Sequence, residues 1–209
     1  MRIRIKFCGL TRPGDVRLAA ELGVDAVGFV FAARSPRRIE AADAAGLRAA
    51  VPPLVDVVAL FMDNPGSEVD TAIRALRPTL LQFHGREDDA FCRGFGLPFV
   101  KTLAMGGGAD DAAMARKRYP SASAFLLDGH RPGEPGGAGA RFDWSTIPPL
   151  PRPVFLAGGL NAGNVGEAIR IARPYAVDVS SGIESAPGIK DGAKMQQFVE
   201  ETRRADRNE

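Results

Sequence analysis

Cysteine and histidine are scarce in this chain of 209 residues, which contains two of each. Cys8 and Cys92 stand far apart in dissimilar contexts, which excludes a disulfide framework and a cysteine-rich zinc site. His84 and His130 are the two imidazoles, and we interpret that number as too few ligands for a metal site. The scarcity therefore predicts no metal and a reducing compartment, which we take to be the cytoplasm.

Long apolar runs are also missing. No stretch approaches the length of apolar sequence that spans a bilayer, and the charged start at Met1–Lys6 does not have the pattern of a signal peptide. The formal net charge of +2 gives no reason to expect a nucleic acid or a membrane surface as partner. With 45% hydrophobic and 25% charged residues the composition is that of an ordinary globular protein, and we expect a small-molecule partner.

The sequence does contain a regular alternation of short apolar runs with longer amphipathic runs. Short continuous apolar runs are typical of parallel strands that helices cover. The predicted strands are Ile3–Cys8, Ala26–Phe31, Val55–Phe61, Leu80–Phe83, Phe99–Leu103, Ala124–Asp128, Val154–Ala157 and Ala176–Ser180. The predicted helices are Pro13–Leu22, Ala41–Ala50, Ser67–Leu76, Glu87–Phe95, Asp110–Arg118, Asn164–Arg173 and Ile189–Arg204.

Eight strands that alternate with helices predict an α/β protein, a single-domain (β/α)8 TIM barrel over residues 1–209, with about 26 residues per unit. A doubly wound open sheet is the alternative, but the chain has no GxGxxG motif and its units are evenly spaced. Trp144 falls in a shortened sixth connection. Thr11 before Pro13 predicts a helix cap and a first-turn proline, and Asn161 or Gly163 is expected to start a later helix.

Active sites of such barrels are built at the carboxyl ends of the strands, where the first strand places Cys8. Because side chains alternate along a strand, Lys6 and Cys8 point into the barrel while Ile5 and Phe7 face the helices. The lysine favours the thiolate of Cys8, which can act as a base or nucleophile, although a free cysteine is more often inert and buried. Buried Lys6 needs an anion, and Asp178 is the candidate.

Asp128 ends the sixth strand and opens a glycine-rich loop. It either caps this loop or, with a raised pKa, donates a proton near neutrality, which would make an acid–base pair with Cys8. Arg37 after the second strand suits a carboxylate held by two hydrogen bonds, although most surface arginines are solvated. We interpret Gln82 and His84 on the fourth strand as structural or substrate-lining.

Glycines and serines follow the seventh and eighth strands, where barrel phosphate sites commonly lie. Glycine permits a close backbone approach to a ligand and serine adds a hydroxyl donor, while the loop after the sixth strand can close the same site. Tight turns that bind nothing are the alternative interpretation. The predicted phosphate-binding residues are Gly137, Gly139, Gly158, Gly159, Ser181 and Gly182.

Several motifs, in order along the whole chain, together resemble the phosphoribosylanthranilate isomerase family. They are Lys6-Phe7-Cys8-Gly9-Leu10-Thr11, Gly28-Phe29-Val30-Phe31 with Ser35-Pro36-Arg37, Gln82-Phe83-His84-Gly85, Phe142-Asp143-Trp144, Gly158-Gly159-Leu160-Asn161 and Asp178-Val179-Ser180-Ser181-Gly182-Ile183-Glu184. The resemblance implies a barrel without a cofactor. The implied reaction is the Amadori rearrangement of N-(5-phosphoribosyl)anthranilate to 1-(2-carboxyphenylamino)-1-deoxyribulose 5-phosphate in tryptophan biosynthesis.

The resemblance also implies roles for particular residues. Asp128 would be the general acid, Cys8 the general base, Arg37 the partner of the anthranilate carboxylate, and the glycine and serine loops the phosphate site. Ala138 departs from the family pattern, which usually has a hydroxyl side chain there. A monomer and a homodimer both remain open, as do two rival functions: a histidine-pathway aldose–ketose isomerase, which would have an aspartate in place of Cys8, and a non-catalytic phosphate-ligand binding barrel.

Overall fold

The computed structural model describes residues 2–107, 110–131, 139–150 and 152–207, without the side chains at 110, 111 and 113. Eight parallel strands close into a barrel, in which β8 pairs with β1. The strands are β1 Arg4–Cys8, β2 Ala26–Val30, β3 Asp56–Phe61, β4 Leu80–Phe83, β5 Phe99–Ala104, β6 Ala124–Asp128, β7 Val154–Leu156 and β8 Ala176–Val179. The predicted barrel is confirmed, with strand ends that agree to within one residue. The single domain over 1–209 stays a prediction.

Helices connect most of the strands. They are α1 Pro13–Glu21, α2 Ala41–Ala49, α3 Gly66–Leu76, α4 Asp89–Arg93, α5 Asp110–Arg118, α6 Val165–Ala172 and α7 Gly192–Arg207. Between β6 and β7 the described residues form only a short 3-10 turn at Trp144–Thr146, so the irregular sixth connection is confirmed. None of the described helices is long and apolar enough to cross a membrane.

The alternation of side chains along β1 separates two packed regions. Ile5 and Phe7 belong to the large apolar cluster that the strands share with the helices. Lys6 lies inside the barrel, where its Nζ is 2.7 Å from Oδ1 of Asp178, so the predicted ion pair is confirmed. Each fully buried side chain of the size of Phe7 contributes roughly 1.5–3 kcal/mol by its removal from water. The outer cluster therefore holds the barrel together, while the interior contains the Lys6–Asp178 pair together with two smaller apolar clusters.

The segment before the last helix differs from its prediction. Ile189–Lys190 was expected to begin a helix, but it forms strand β10, which pairs antiparallel with β9, Glu184–Ala186. The helix α7 begins only at Gly192. The hairpin forms because it brings the Lys190 ammonium to the buried Glu184 carboxylate, with Nζ and Oε1 2.8 Å apart.

Two predicted helix starts are also wrong. Thr11 does not cap α1, because its hydroxyl donates instead to the carbonyl of Gly188, and Arg12 occupies the capping position. The first-turn proline, Pro13, is confirmed. Helix α6 begins at Val165 after Asn164, not at Asn161 or Gly163.

The helix predicted over Glu87–Phe95 shortens to α4, Asp89–Arg93. Its cap is Asp88, whose carboxylate accepts a hydrogen bond from the Phe91 N–H. Glu87 lies outside the helix, because its carboxylate pairs with the Lys101 ammonium at 2.9 Å.

Candidate active site

Cys8 and Asp128 lie at the same rim of the barrel. Cys8 ends β1 and Asp128 ends β6, and all eight strands run parallel, so both residues come from carboxyl ends at one face. A cavity of about 650 Å³ opens at the opposite face, lined by Arg2, Trp144 and Tyr175 among others, and none of the predicted site residues lines it. The catalytic roles of Cys8 and Asp128 stay predictions.

The thiol of Cys8 is buried beside Lys6 and Gly28. A methyl group on Gly28 would come within 2.9 Å of the Cys8 Sγ, so the glycine provides the room that the thiol occupies. Burial raises the pKa of the Cys8 thiol, and the Lys6 charge offsets this only in part, because Asp178 balances that charge. Lys6 therefore favours the thiolate as expected, but burial outweighs it and the net pKa of the thiol is raised in the ligand-free chain.

Asp128 lies against two imidazoles. Its Oδ1 accepts a hydrogen bond from the backbone N–H of His130 at 3.1 Å. The ring Nδ1 of His130 lies 3.2 Å from the same oxygen. The His84 ring stacks on His130 with centroids 4.7 Å apart. Burial by itself would raise the pKa of Asp128, but His130 and the nearby His84 outweigh it and lower the pKa. The expected raised pKa is therefore wrong here, because the fold places two imidazoles beside the carboxylate.

The ring of His84 lies close to Asp128 and His130. Both ring nitrogens of His84 are buried and make no hydrogen bond to any described residue, and burial lowers the pKa of His84 to about 4. Gln82 lies two residues earlier on β4 and is almost completely buried. Its Nε2 donates a hydrogen bond to Thr102 Oγ1 at 3.4 Å. The amide of Gln82 is therefore used inside the barrel, and a substrate-lining role remains a prediction for both residues.

Arg37 is held by a residue to which the sequence analysis gave no role. Its Nε and Nη2 donate to the two carboxylate oxygens of Glu184, at 2.8 and 2.7 Å. Burial would raise the pKa of Glu184, but Arg37 and Lys190 outweigh it and lower the pKa. Lys190 also donates to the Ser180 carbonyl at the end of β8. The only sequence signal for Glu184 was its place at the end of the last family motif, and Lys190 lay in the segment mistaken for a helix.

Loops after β6, β7 and β8 come together at the rim. A methyl group on Gly159 would lie 2.6 Å from the Gly139 carbonyl oxygen, and one on Gly139 would lie 3.6 Å from the Ser181 hydroxyl. A methyl group on Gly182 would lie only 1.9 Å from the Leu160 carbonyl, so no other residue fits there. The three loops therefore meet as the sequence predicts. Gly137 lies outside the described residues.

Gly158 and Gly159 also need glycine for their backbone conformation. Their φ angles are +81° and +65°, in the left-handed region that side chains disfavour. This turn brings the chain from β7 back over the rim beside Gly139. These glycines approach other backbone closely, and Ser181 beside them is exposed. Such an arrangement is suited to binding a phosphate group.

Comparisons with known proteins agree with this geometry. The model of the family described as N-(5'phosphoribosyl)anthranilate (PRA) isomerase matches residues 5–201. The chain belongs to the N-(5'-phosphoribosyl)anthranilate isomerase family. The isomerase of Stenotrophomonas maltophilia (strain R551-3) is 59% identical over 207 residues, which cover 98% of this chain and 95% of the relative. That of Xanthomonas oryzae pv. oryzae (strain PXO99A) is 58% identical over 214 residues, with 100% and 96% covered.

Solved structures of the isomerase family have the same fold. The Thermus thermophilus enzyme superposes with a TM-score of 0.86 at 36% identity, with 97% of this chain and 99% of that chain covered. An isomerase in complex with reduced 1-(o-carboxyphenylamino)-1-deoxyribulose 5-phosphate gives a TM-score of 0.82 at 32% identity, with 96% and 98% covered. A structure described as monomers generated from the dimeric Thermotoga maritima isomerase gives 0.81 at 32% identity, with 96% and 98% covered.

Proposed function

We propose that the chain converts N-(5'-phosphoribosyl)anthranilate to 1-(2-carboxyphenylamino)-1-deoxyribulose 5-phosphate, the Amadori rearrangement of tryptophan biosynthesis. Membership of the isomerase family over nearly the whole chain supports this reaction. The structural observation that carries it is the rim itself, where a thiol at Cys8 and a carboxyl group at Asp128 flank loops suited to a phosphate.

Asp128 and Cys8 divide the proton transfers. Asp128, as a carboxylic acid, protonates the ribose ring oxygen while the C1–O bond breaks, and the anilino nitrogen forms an iminium with C1. The iminium acidifies the neighbouring C2–H, and the Cys8 thiolate takes that proton. The resulting enolamine tautomerises to the ketone. No electrons leave the substrate, because the oxidation of C2 balances the reduction of C1.

In the ligand-free chain Cys8 carries the proton and Asp128 does not, the reverse of the protonation that the mechanism uses. Its raised pKa keeps Cys8 as the thiol, and its lowered pKa keeps Asp128 as the carboxylate. The reactive form has the same number of protons, with a thiolate at Cys8 and an acid at Asp128. It is therefore a minor tautomer of the same charge state.

Substrate binding uses the remaining residues. Arg37 donates hydrogen bonds to Glu184 through Nε and Nη2. We assign its remaining nitrogen, Nη1, to the anthranilate carboxylate. Gly139, Gly158, Gly159, Ser181 and Gly182, with Gly137, form the phosphate site. His84 and Gln82 line the substrate. No cofactor enters these steps.

The partner is a small phosphosugar, and we expect no nucleic acid to bind. A homodimer, as in the Thermotoga relative, and a monomer are both compatible with the site, and light scattering on the purified chain distinguishes them. We also place the chain in the cytoplasm, because Cys8 and Cys92 are both free and buried.

Steady-state kinetics test the proposal. We expect Cys8→Ala and Asp128→Asn each to lower kcat at least ~10²-fold while binding of a phosphate-bearing product analogue is largely kept. Cys92→Ala removes the other thiol, which lies on α4, and we expect it to keep full turnover. Turnover of the histidine-pathway compound alone, or no turnover of either substrate by the unmodified chain, would overturn the assignment in favour of one of the rival functions.

A further inference from the structure

Three groups that bind metals meet beside the proposed acid. One ligand atom each from His84, Asp128 and His130 all lie within 4.8 Å of one another. His84 comes from the end of β4, while Asp128 and His130 come from the end of β6 and the loop after it. The two histidines of the whole sequence are thus in one cluster. Two histidines alone are too few for a metal site, but the Asp128 carboxylate supplies a third ligand.

We infer that His84, His130 and Asp128 form a binding site for Zn²⁺, and that the bound ion blocks the active site. Two imidazole nitrogens and one carboxylate oxygen are a ligand set that zinc accepts, with water in the fourth position. The ion is an inhibitor of this chain in our proposal and takes no part in its reaction.

The distances suit a tetrahedral ion after a small movement. The Nδ1 of His130 lies 3.2 Å from Oδ1 of Asp128, and two zinc ligands with bonds of ~2.0–2.1 Å stand roughly 3.3 Å apart in a tetrahedron. His84 must turn to come closer. Neither of its ring nitrogens has a hydrogen-bond partner among the described residues, so the turn breaks no hydrogen bond.

The buried nitrogens themselves point to a ligand. The Nδ1 of His130 also makes no aligned hydrogen bond, and His130 is only 6% exposed. A buried polar atom without a hydrogen-bond partner destabilises the folded chain, and a bond to a metal ion would offset that cost.

The nearby cations are neutralised by their own partners. The charged groups that act on His84 are Asp128, His130, Lys101 and Lys6. Lys6 pairs with Asp178 at 2.7 Å, and Lys101 pairs with Glu87 at 2.9 Å. The unbalanced charge in the cluster is therefore the carboxylate of Asp128, which attracts a cation.

Inhibition follows from the identity of one ligand and rests on the proposed function. A carboxylate oxygen bonded to zinc cannot carry the proton that opens the ribose ring. Activity should therefore fall in proportion to the fraction of the chain that binds Zn²⁺, and a chelator should restore it.

Nitrogen-15 NMR of the imidazoles tests the site without any turnover. The untagged chain of 209 residues contains two histidine side chains, so the spectrum contains ring signals from His84 and His130 alone. On addition of Zn²⁺ we expect both rings to shift together, with one ion bound per chain by calorimetry. Unchanged ring signals, or a shift of only one ring, would overturn the site.

Variants and a second metal identify the ligands. We expect His84→Ala, His130→Ala and Asp128→Asn each to weaken Zn²⁺ binding at least ~10-fold, and Cys8→Ala to keep it. With Co²⁺, an intense thiolate charge-transfer band that Cys8→Ala removes would show a cysteine site instead and would overturn the proposal. Because these measurements read binding, they can succeed or fail whether or not the chain turns over the proposed substrate.

Discussion

Lys6 and Asp178 form an ion pair inside the barrel, with Nζ 2.7 Å from Oδ1, where β1 pairs with β8. Both side chains are almost completely buried. The pair stands next to Cys8, and the charge that would otherwise stabilise a thiolate is balanced by the carboxylate. This one contact therefore links the stability of the barrel to the protonation of the proposed base.

Breaking this ion pair should destabilise the fold. Asp178→Asn leaves the Lys6 ammonium buried without a counter-charge, so we expect a loss of ~3–5 kcal/mol in the free energy of unfolding. Replacing both partners, Lys6→Met with Asp178→Leu, should recover part of it. Urea unfolding gives the values, and Arg2→Ala is the control. It breaks the exposed pair with Asp25, which should cost at most ~1 kcal/mol. Equal losses for the buried and exposed pairs would contradict this.

The thiol of Cys8 should titrate above its ordinary range. Because burial outweighs Lys6, we expect the thiol to ionise only above the ordinary cysteine pKa of about 8.5 in the ligand-free chain. The measurement is thiolate absorbance in the ultraviolet during a pH titration, as the difference between the unmodified chain and Cys8→Ser. Cys92 is silent over this range, because burial raises its pKa to about 12. A difference spectrum that already shows a thiolate at neutral pH would refute the raised pKa.

Acid should remove the stabilisation that Glu184 provides. Its folded-state pKa is lowered below the unfolded value of about 4.3, so its contribution is fully present above that pH and is lost as pH falls through the folded pKa. Glu184→Gln cannot titrate. We expect the difference in unfolding free energy between the two chains to shrink below about pH 4.3. A constant difference down to acid unfolding would mean that Glu184 does not act through its charge.

Gly28 should tolerate no side chain beside the thiol. In Gly28→Ala the added methyl would lie 2.9 Å from the Cys8 Sγ and 3.2 Å from the Lys6 ammonium, so one of them must move. We expect loss of stability of ~1–3 kcal/mol, as for overpacked cores, together with reduced kcat. Gly46→Ala is the matched control, since it meets nothing within 4 Å in helix α2 and should stabilise by ~0.5–1 kcal/mol. Full activity in Gly28→Ala would show that the thiol does not need its present position.

The barrel and the residues at its rim could be predicted from local sequence, because the apolar residues that mark the strands recur with a regular period. Apolar runs gave all eight barrel strands to within one residue, and alternation along β1 separated Lys6 from Phe7 correctly. The partner of Lys6 followed from the rule that a buried charge needs an opposite charge. The hairpin of Lys190 was missed because its amphipathic sequence fits a helix equally well.

The sequence by itself determined the eight-unit barrel and the residues at its rim, since both depend on the order of residues within short segments. Only the tertiary structure decided the protonation of Cys8 and Asp128 and the pair of hydrogen bonds from Arg37 to Glu184. These depend on burial and on charges from segments up to 172 residues apart, as for Lys6 and Asp178. Such distances in sequence leave no local pattern, because it is the closure of the barrel that brings the groups together.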